Sequence, residues 1–117
     1  MTTSYKQLTQ DIQGNLAQLY KSQPDTMNGF AGMSKAAYAN GALDAKTKEL
    51  IALAVGVAVR CDGCIGFHTK ALARLGATEQ EVHEALGVAI QMGGGPSAMY
   101  AANAVAAYNE FASTTQA

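Results

Sequence analysis

Ten consecutive residues, Leu50-Ile-Ala-Leu-Ala-Val-Gly-Val-Ala-Val59, carry no polar side chain, so whatever this chain folds into must bury that run. Valines at alternate positions 55, 57 and 59 would suit a buried strand. Length and the Ala-Lys-Thr-Lys-Glu lead-in favour a helix, and Asp44 can cap it by accepting from the free N–H groups of the first turn. The run is too short to cross a bilayer, which takes about 20 apolar residues.

The rest of the chain is punctuated in the same way, and no stretch alternates convincingly at period two. Leu8, Ile12, Leu16, Leu19 and Tyr20 recur at helical steps and predict an amphipathic helix over residues 4 to 21, with Gly14 as its weak point. Pro24 and Asp25 open a second helix to about Asn40, which Gly41 is placed to end. A third runs from Asp44 to about Val59 and a fourth from Asp62 to Gly76. Thr78 and Glu81 form a capping box for a fifth, which puts Val82, Ala85, Leu86, Ala89 and Ile90 on one face before Gly93-Gly94-Gly95 stops it. Pro96 suits the first turn of a sixth helix to about Phe111, and the small, polar tail from Ala112 is expected to fray.

The expectation is an all-α, single-domain bundle of about six helices spanning residues 1 to 117, a length and a 49% hydrophobic content that support one core. The third and sixth helices are apolar around most of their circumference, more than one small domain can bury, which predicts a homo-oligomer. A net charge of −1 with no Lys/Arg cluster lacks the electrostatic footprint of a nucleic-acid binder. The polar Met-Thr-Thr-Ser-Tyr-Lys-Gln start lacks the apolar core of a signal peptide, so a soluble cytoplasmic protein with no membrane partner is expected.

In a reducing compartment the two cysteines, in Cys61-Asp62-Gly63-Cys64-Ile65-Gly66-Phe67-His68, are more often catalytic or metal-binding than a structural staple. Cys61 sits at the mouth of the fourth helix, where the dipole and free N–H groups stabilise a thiolate. Cys64 follows on the same side, close enough for a disulfide, and His68 one turn on can lie over its sulfur and take its proton. Gly63 and Gly66 keep the surrounding surface low enough to admit a substrate or partner. Glu49 lies too far from Cys61 along one helix, roughly 18 Å. An antiparallel hairpin of helices three and four, turning near Arg60, would bring it toward His68 as the carboxylate that orients the imidazole.

Each feature also has a plainer reading. The thiols can be inert and buried, or zinc ligands with His68, although no second Cys/His pair completes a structural site. Glu49 can be a solvated first-turn carboxylate, His83 a structural residue beside an apolar face, and the triple glycine a helix break with close backbone packing.

Glu49, eleven residues, then Cys61-x-x-Cys64-x-x-x-His68 resembles the signature of the alkylhydroperoxidase D-like branch of the carboxymuconolactone decarboxylase family. Gly41-Ala-Leu-Asp-Ala-Lys-Thr-Lys-Glu-Leu, Gly76-Ala-Thr-Glu-Gln-Glu-Val and the Met92-Gly-Gly-Gly-Pro96 break are similar too, so the resemblance covers about residues 27 to 111. It implies helical subunits assembled as trimers or hexamers, and antioxidant thiol chemistry with no cofactor and no metal. By it, Cys64 is the peroxidatic cysteine, Cys61 the resolving one, and His68 with Glu49 the proton relay. Position alone leaves the nucleophile open, since the helix mouth favours Cys61 and the histidine favours Cys64.

The best-known members are longer and carry a histidine where this chain has Gly63. The implied partners are a hydroperoxide and an external dithiol or protein reductant. The alternatives are a disulfide reductase for a partner protein, a decarboxylase acting on a lactone of aromatic catabolism, and a non-catalytic oligomer whose thiols sense oxidation or bind metal.

Overall fold

A computed structural model describes residues 4–116, with side chains described through Ser113. Six helices, and no strand among the described residues, follow in order: α1 (Tyr5–Ser22), α2 (Pro24–Tyr38), α3 (Ala45–Ala58), α4 (Asp62–Arg74), α5 (Glu79–Gly93) and α6 (Gly95–Gln116). The long apolar run belongs to α3, and the strand reading is not realised. Its buried positions, Glu49, Leu53, Gly56 and Val57, follow the helical period and not alternation.

The four helices α3 to α6 pack around one core in which Leu53, Val57, Ile65, Leu72, Val82 and Leu86 meet the small-residue face of α6. On that face Ala101, Ala104 and Ala107 let the helices approach, and Tyr108 and Phe111 fill the wider end. The Tyr108 hydroxyl donates to the Ala77 carbonyl (2.6 Å), tying the α4–α5 connection to α6.

Helix ends follow the capping residues closely. Asp44 accepts from the Thr47 N–H (2.8 Å), and Thr78 with Glu81 makes the reciprocal capping box. Gly76 takes φ 78° just beyond α4, where its N–H donates to Ala73 and the next N–H to Leu72, the paired bonds of a Schellman end. Gly94 takes φ 74° and ψ −152° between α5 and α6, a region essentially reserved for glycine.

Three sequence expectations need correction. Helix α2 stops at Tyr38 because Ala39 is already extended (φ −63°, ψ 146°); Gly41 lies beyond, its N–H donating to Leu43. Helix α6 starts one residue before Pro96 and continues past Phe111 to Gln116, since Ala112 extends the buried stripe. The end of the expected fraying tail, Ala117, lies outside the described residues, as do Met1 to Thr3 of the expected polar start. Third, the low surface at Gly63 and Gly66 is taken by α1. A Cβ on Gly66 would stand 2.7 Å from the Thr9 methyl, and one on Gly63 would stand 3.0 Å from Ile12. Gly14 does not interrupt α1. Glu110 of α6 accepts from the N–H groups of Tyr5 (3.1 Å) and Lys6 (2.8 Å), so a distant carboxylate caps α1 alongside Ser4.

Candidate active site

The turn from α3 to α4 places the cysteines. Arg60, the only non-glycine residue with positive φ among those described (63°), follows α3 and donates from its N–H to Val57. The Cys61 N–H donates to Gly56, which completes a second Schellman end with arginine in the position glycine usually takes. Cys61 is at once the N-cap of α4, its sulfur accepting from the Cys64 N–H (3.0 Å). No residue is left between the two helices to act as a free linker. Antiparallel packing of α3 on α4 then follows from a turn this tight.

Cys61 and Cys64 are joined as a disulfide, their Cα atoms 5.2 Å apart. Cys64 packs against Gly56 of α3, where an added Cβ would stand 3.0 Å from its own. Across the same hairpin Glu49 Oε2 lies 2.6 Å from His68 Nδ1, although the two residues are nineteen positions apart in sequence. Glu49 is only 9% exposed, so it is not the solvated carboxylate of the plainer reading. A carboxylate accepts, so Nδ1 carries the proton in this bond, and in the neutral imidazole Nε2 then keeps its lone pair. Among the described residues, Nε2 has no protein hydrogen-bond partner.

Cys64 and His68 open onto one cleft of about 430 Å³ between α2, α3 and α4. Ile51, Val55 and Val59, each at least half exposed, line its α3 side, and Lys48 stands at one end. Tyr38, the last residue of α2, closes over the imidazole with its ring centroid 5.9 Å away and tilted by 46°. Burial, and secondarily the Glu49 carboxylate, hold its phenol above the usual tyrosine value, so it stays protonated and is no base at neutral pH. Cys61 does not line this cleft, and the expected contact of His68 with the Cys64 sulfur takes the form of a shared wall with no hydrogen bond. A larger cavity of about 640 Å³ around Arg74, Thr78 and Tyr108 lies away from both cysteines.

Sequence reasoning names Cys61, Cys64, His68 and Glu49, and the fold gathers all four at the α3–α4 hairpin. It misses Tyr38, Lys48 and Gly56. Of these only Gly56 left a usable signal, a glycine inside a helical run, which often marks close approach. His83 lies on α5 outside the cleft, its Nε2 buried without a hydrogen-bond partner. No three His, Cys, Asp or Glu side chains among the described residues converge as metal ligands, and no helix there is long and apolar enough to cross a membrane.

Comparison with known proteins agrees with this architecture. Residues 24–107 match the model of the carboxymuconolactone decarboxylase family. The chain is similar to a crystal structure of an apo carboxymuconolactone decarboxylase family protein from Legionella pneumophila, at 52% identity and TM-score 0.91 over 92% of this chain and 96% of that one. A Thermotoga maritima protein of the same family, described with a possible involvement in the antioxidative response, superposes with TM-score 0.82 at 29% identity, over 92% of each chain. An uncharacterised protein of Cupriavidus necator is 43% identical over 109 residues, covering 93% of this chain and 96% of its own. A match over most of the length, together with the shared fold, means that this chain belongs to the carboxymuconolactone decarboxylase family.

Proposed function

We propose that this chain is a thiol peroxidase of the alkylhydroperoxidase D-like branch, reducing hydroperoxides through the Cys61–Cys64 pair. The observation that carries the reading is the disulfide-forming pair standing beside a carboxylate–imidazole pair, with Cys64 and His68 on one apolar cleft. The Thermotoga relative with its antioxidative description supports it.

In the reduced enzyme, His68 Nε2 takes the Cys64 proton while Glu49 accepts from Nδ1–H and stabilises the imidazolium. The Cys64 thiolate attacks the outer oxygen of the hydroperoxide. An S–O bond forms, the O–O bond breaks, and the alkoxide leaves as alcohol with the proton held by His68. Cys64 is now a sulfenic acid. The Cys61 thiol attacks that sulfur, water leaves, and the disulfide closes. An external dithiol reopens it by two exchange steps, becoming a disulfide itself while both cysteines regain their hydrogens. The assignment of Cys64 as nucleophile rests on its place in the cleft, which Cys61 does not line.

Peroxide consumption with a dithiol donor, compared between the wild type and Cys64→Ser, tests the reading: the variant should lose turnover, and unaffected turnover would sink the peroxidatic role. A second reading, disulfide exchange with a partner protein, draws on the openness of the cleft. Reduction of a protein disulfide without any peroxide turnover would select it. The lactone decarboxylase reading is disfavoured by the cysteine pair, which that chemistry does not need, and loss of substrate absorbance checks it directly.

The assembly is proposed to be a trimer or hexamer. Large apolar side chains stay exposed well away from the cleft, among them Val88, Met92 and Met99, more than a lone subunit should leave to water. Sedimentation should give a mass several times that of one chain, independent of dilution in the micromolar range; a monomer would overturn the assembly.

A further inference from the structure

Among the described residues, Lys48 is the only lysine or arginine on a cleft wall that is otherwise largely apolar. Its ammonium donates to the Ala39 carbonyl (2.6 Å), and no carboxylate pairs with it among the described residues. Lys46, on the same helix, is by contrast neutralised by Glu81 at 2.8 Å. The adjacent Glu49 is unavailable as a counter-ion because its carboxylate is turned to His68. A cation near the N-terminal end of α3 is also disfavoured by the helix dipole, so the fold carries this charge at some cost. An ammonium has three donors, and the carbonyl uses one.

Lys48 and Gly56 lie on the same wall, and Gly56 is where Cys64 packs. They stand eight positions apart on α3, an axial rise of about 12 Å along the backbone. Ile51, Ala52 and Val55 line the wall between. A cation at one end, apolar surface along the length and the sulfur at the other describe a chain-like molecule with an anionic head. An extended chain covers three bonds in about 3.5 Å, so about ten bonds bridge the distance.

We propose that the cleft binds long-chain carboxylates and that its substrate is a fatty-acid hydroperoxide, the carboxylate resting on Lys48 and the O–O group at Cys64. The substrate assignment rests on the peroxidase reading; the carboxylate subsite does not. A neutral or small hydroperoxide makes no use of Lys48.

Binding of dodecanoate and of methyl dodecanoate, both below their aggregation limits, is measured by calorimetry on the full chain in its native assembly. Dodecanoate should bind at least about 10-fold more tightly than the ester, since a charge-assisted contact is at stake. Lys48→Met should erase the difference and Lys48→Arg should keep it. Turnover of linoleic acid hydroperoxide against its methyl ester should show the same preference in kcat/KM and the same loss in Lys48→Met.

Equal binding of the two probes, no binding because a second copy of the chain covers the cleft, or a preference that survives Lys48→Met would each overturn the proposal. Dodecanoate has no O–O bond, so a Lys48-dependent preference in a protein that consumes no peroxide supports the carboxylate subsite and overturns the peroxidase reading alone.

Discussion

Gly56 of α3 and Cys64 of α4 touch back to back: a methyl group on residue 56 would stand 3.0 Å from the Cys64 Cβ. Neither side can yield easily, because Cys64 is fixed in the first turn of α4 and bonded to Cys61. Gly56→Val should therefore overpack the hairpin and cost about 1–3 kcal/mol of stability. Denaturant melts check the stability, and peroxide turnover should fall with it because the sulfur is pushed off the cleft wall.

On the proposed relay, Glu49→Gln keeps the size of the side chain and removes the charge that would stabilise the imidazolium formed during turnover. Turnover should drop about 10²-fold, the lower end of what acid–base catalysis supplies. Alkylation of the reduced protein, followed against pH, should show thiolate forming at higher pH in the variant than in the wild type. Unchanged alkylation would confine Glu49 to a structural role.

Acid should weaken the α3 and α5 caps. The Thr47 hydroxyl and N–H hold Asp44 below its ordinary value of 3.8, and Lys46, with help from the Thr78 N–H, holds Glu81 below 4.5. A carboxylate lowered on folding contributes stability above its unfolded value and loses it as pH falls through the folded one. Melting temperature should thus fall between about pH 5 and about pH 3, and the fall should be shallower in Asp44→Asn and Glu81→Gln. Because the Lys46–Glu81 pair stands at the surface, salt should narrow the difference for Glu81 more than for the locally bonded Asp44.

Arg60 and Gly76 occupy equivalent left-handed positions at the ends of α3 and α4. An L side chain there costs roughly 1–2 kcal/mol, of which glycine's looser unfolded chain takes back about 0.5–1. Arg60→Gly should raise stability by up to about 1 kcal/mol, and Gly76→Ala should lower it by a similar amount. Thermal melts of the two variants should move in opposite directions.

Helices α3 to α6 could be read from the sequence where period and cap agree, as at Asp44 and at Thr78 with Glu81. The pairing of Glu49 with His68 was also legible, because a tight turn at Arg60 leaves few other geometries. What sequence could not show depends on contacts between distant segments. Thr9 and Ile12 reach the glycines of α4, and Glu110 caps a helix at the other end of the chain. Nothing local marks Glu110 as a cap, and a glycine pair reads equally as an open surface or as a seat for a helix. Tyr38 and Lys48 escaped notice for the same reason: each is an ordinary helix residue until α2 is laid across α3.

Cys61 closes α3 and begins α4 with the same backbone. The two sulfurs are thus mounted on a joint without play. Making and breaking the bond between them must be absorbed by rotation of two short side chains, with little movement of either helix. On the proposed peroxidase reading, such a site resets between turnovers with almost nothing to reorganise, and the oxidised and reduced forms should present a reductant with nearly the same outline.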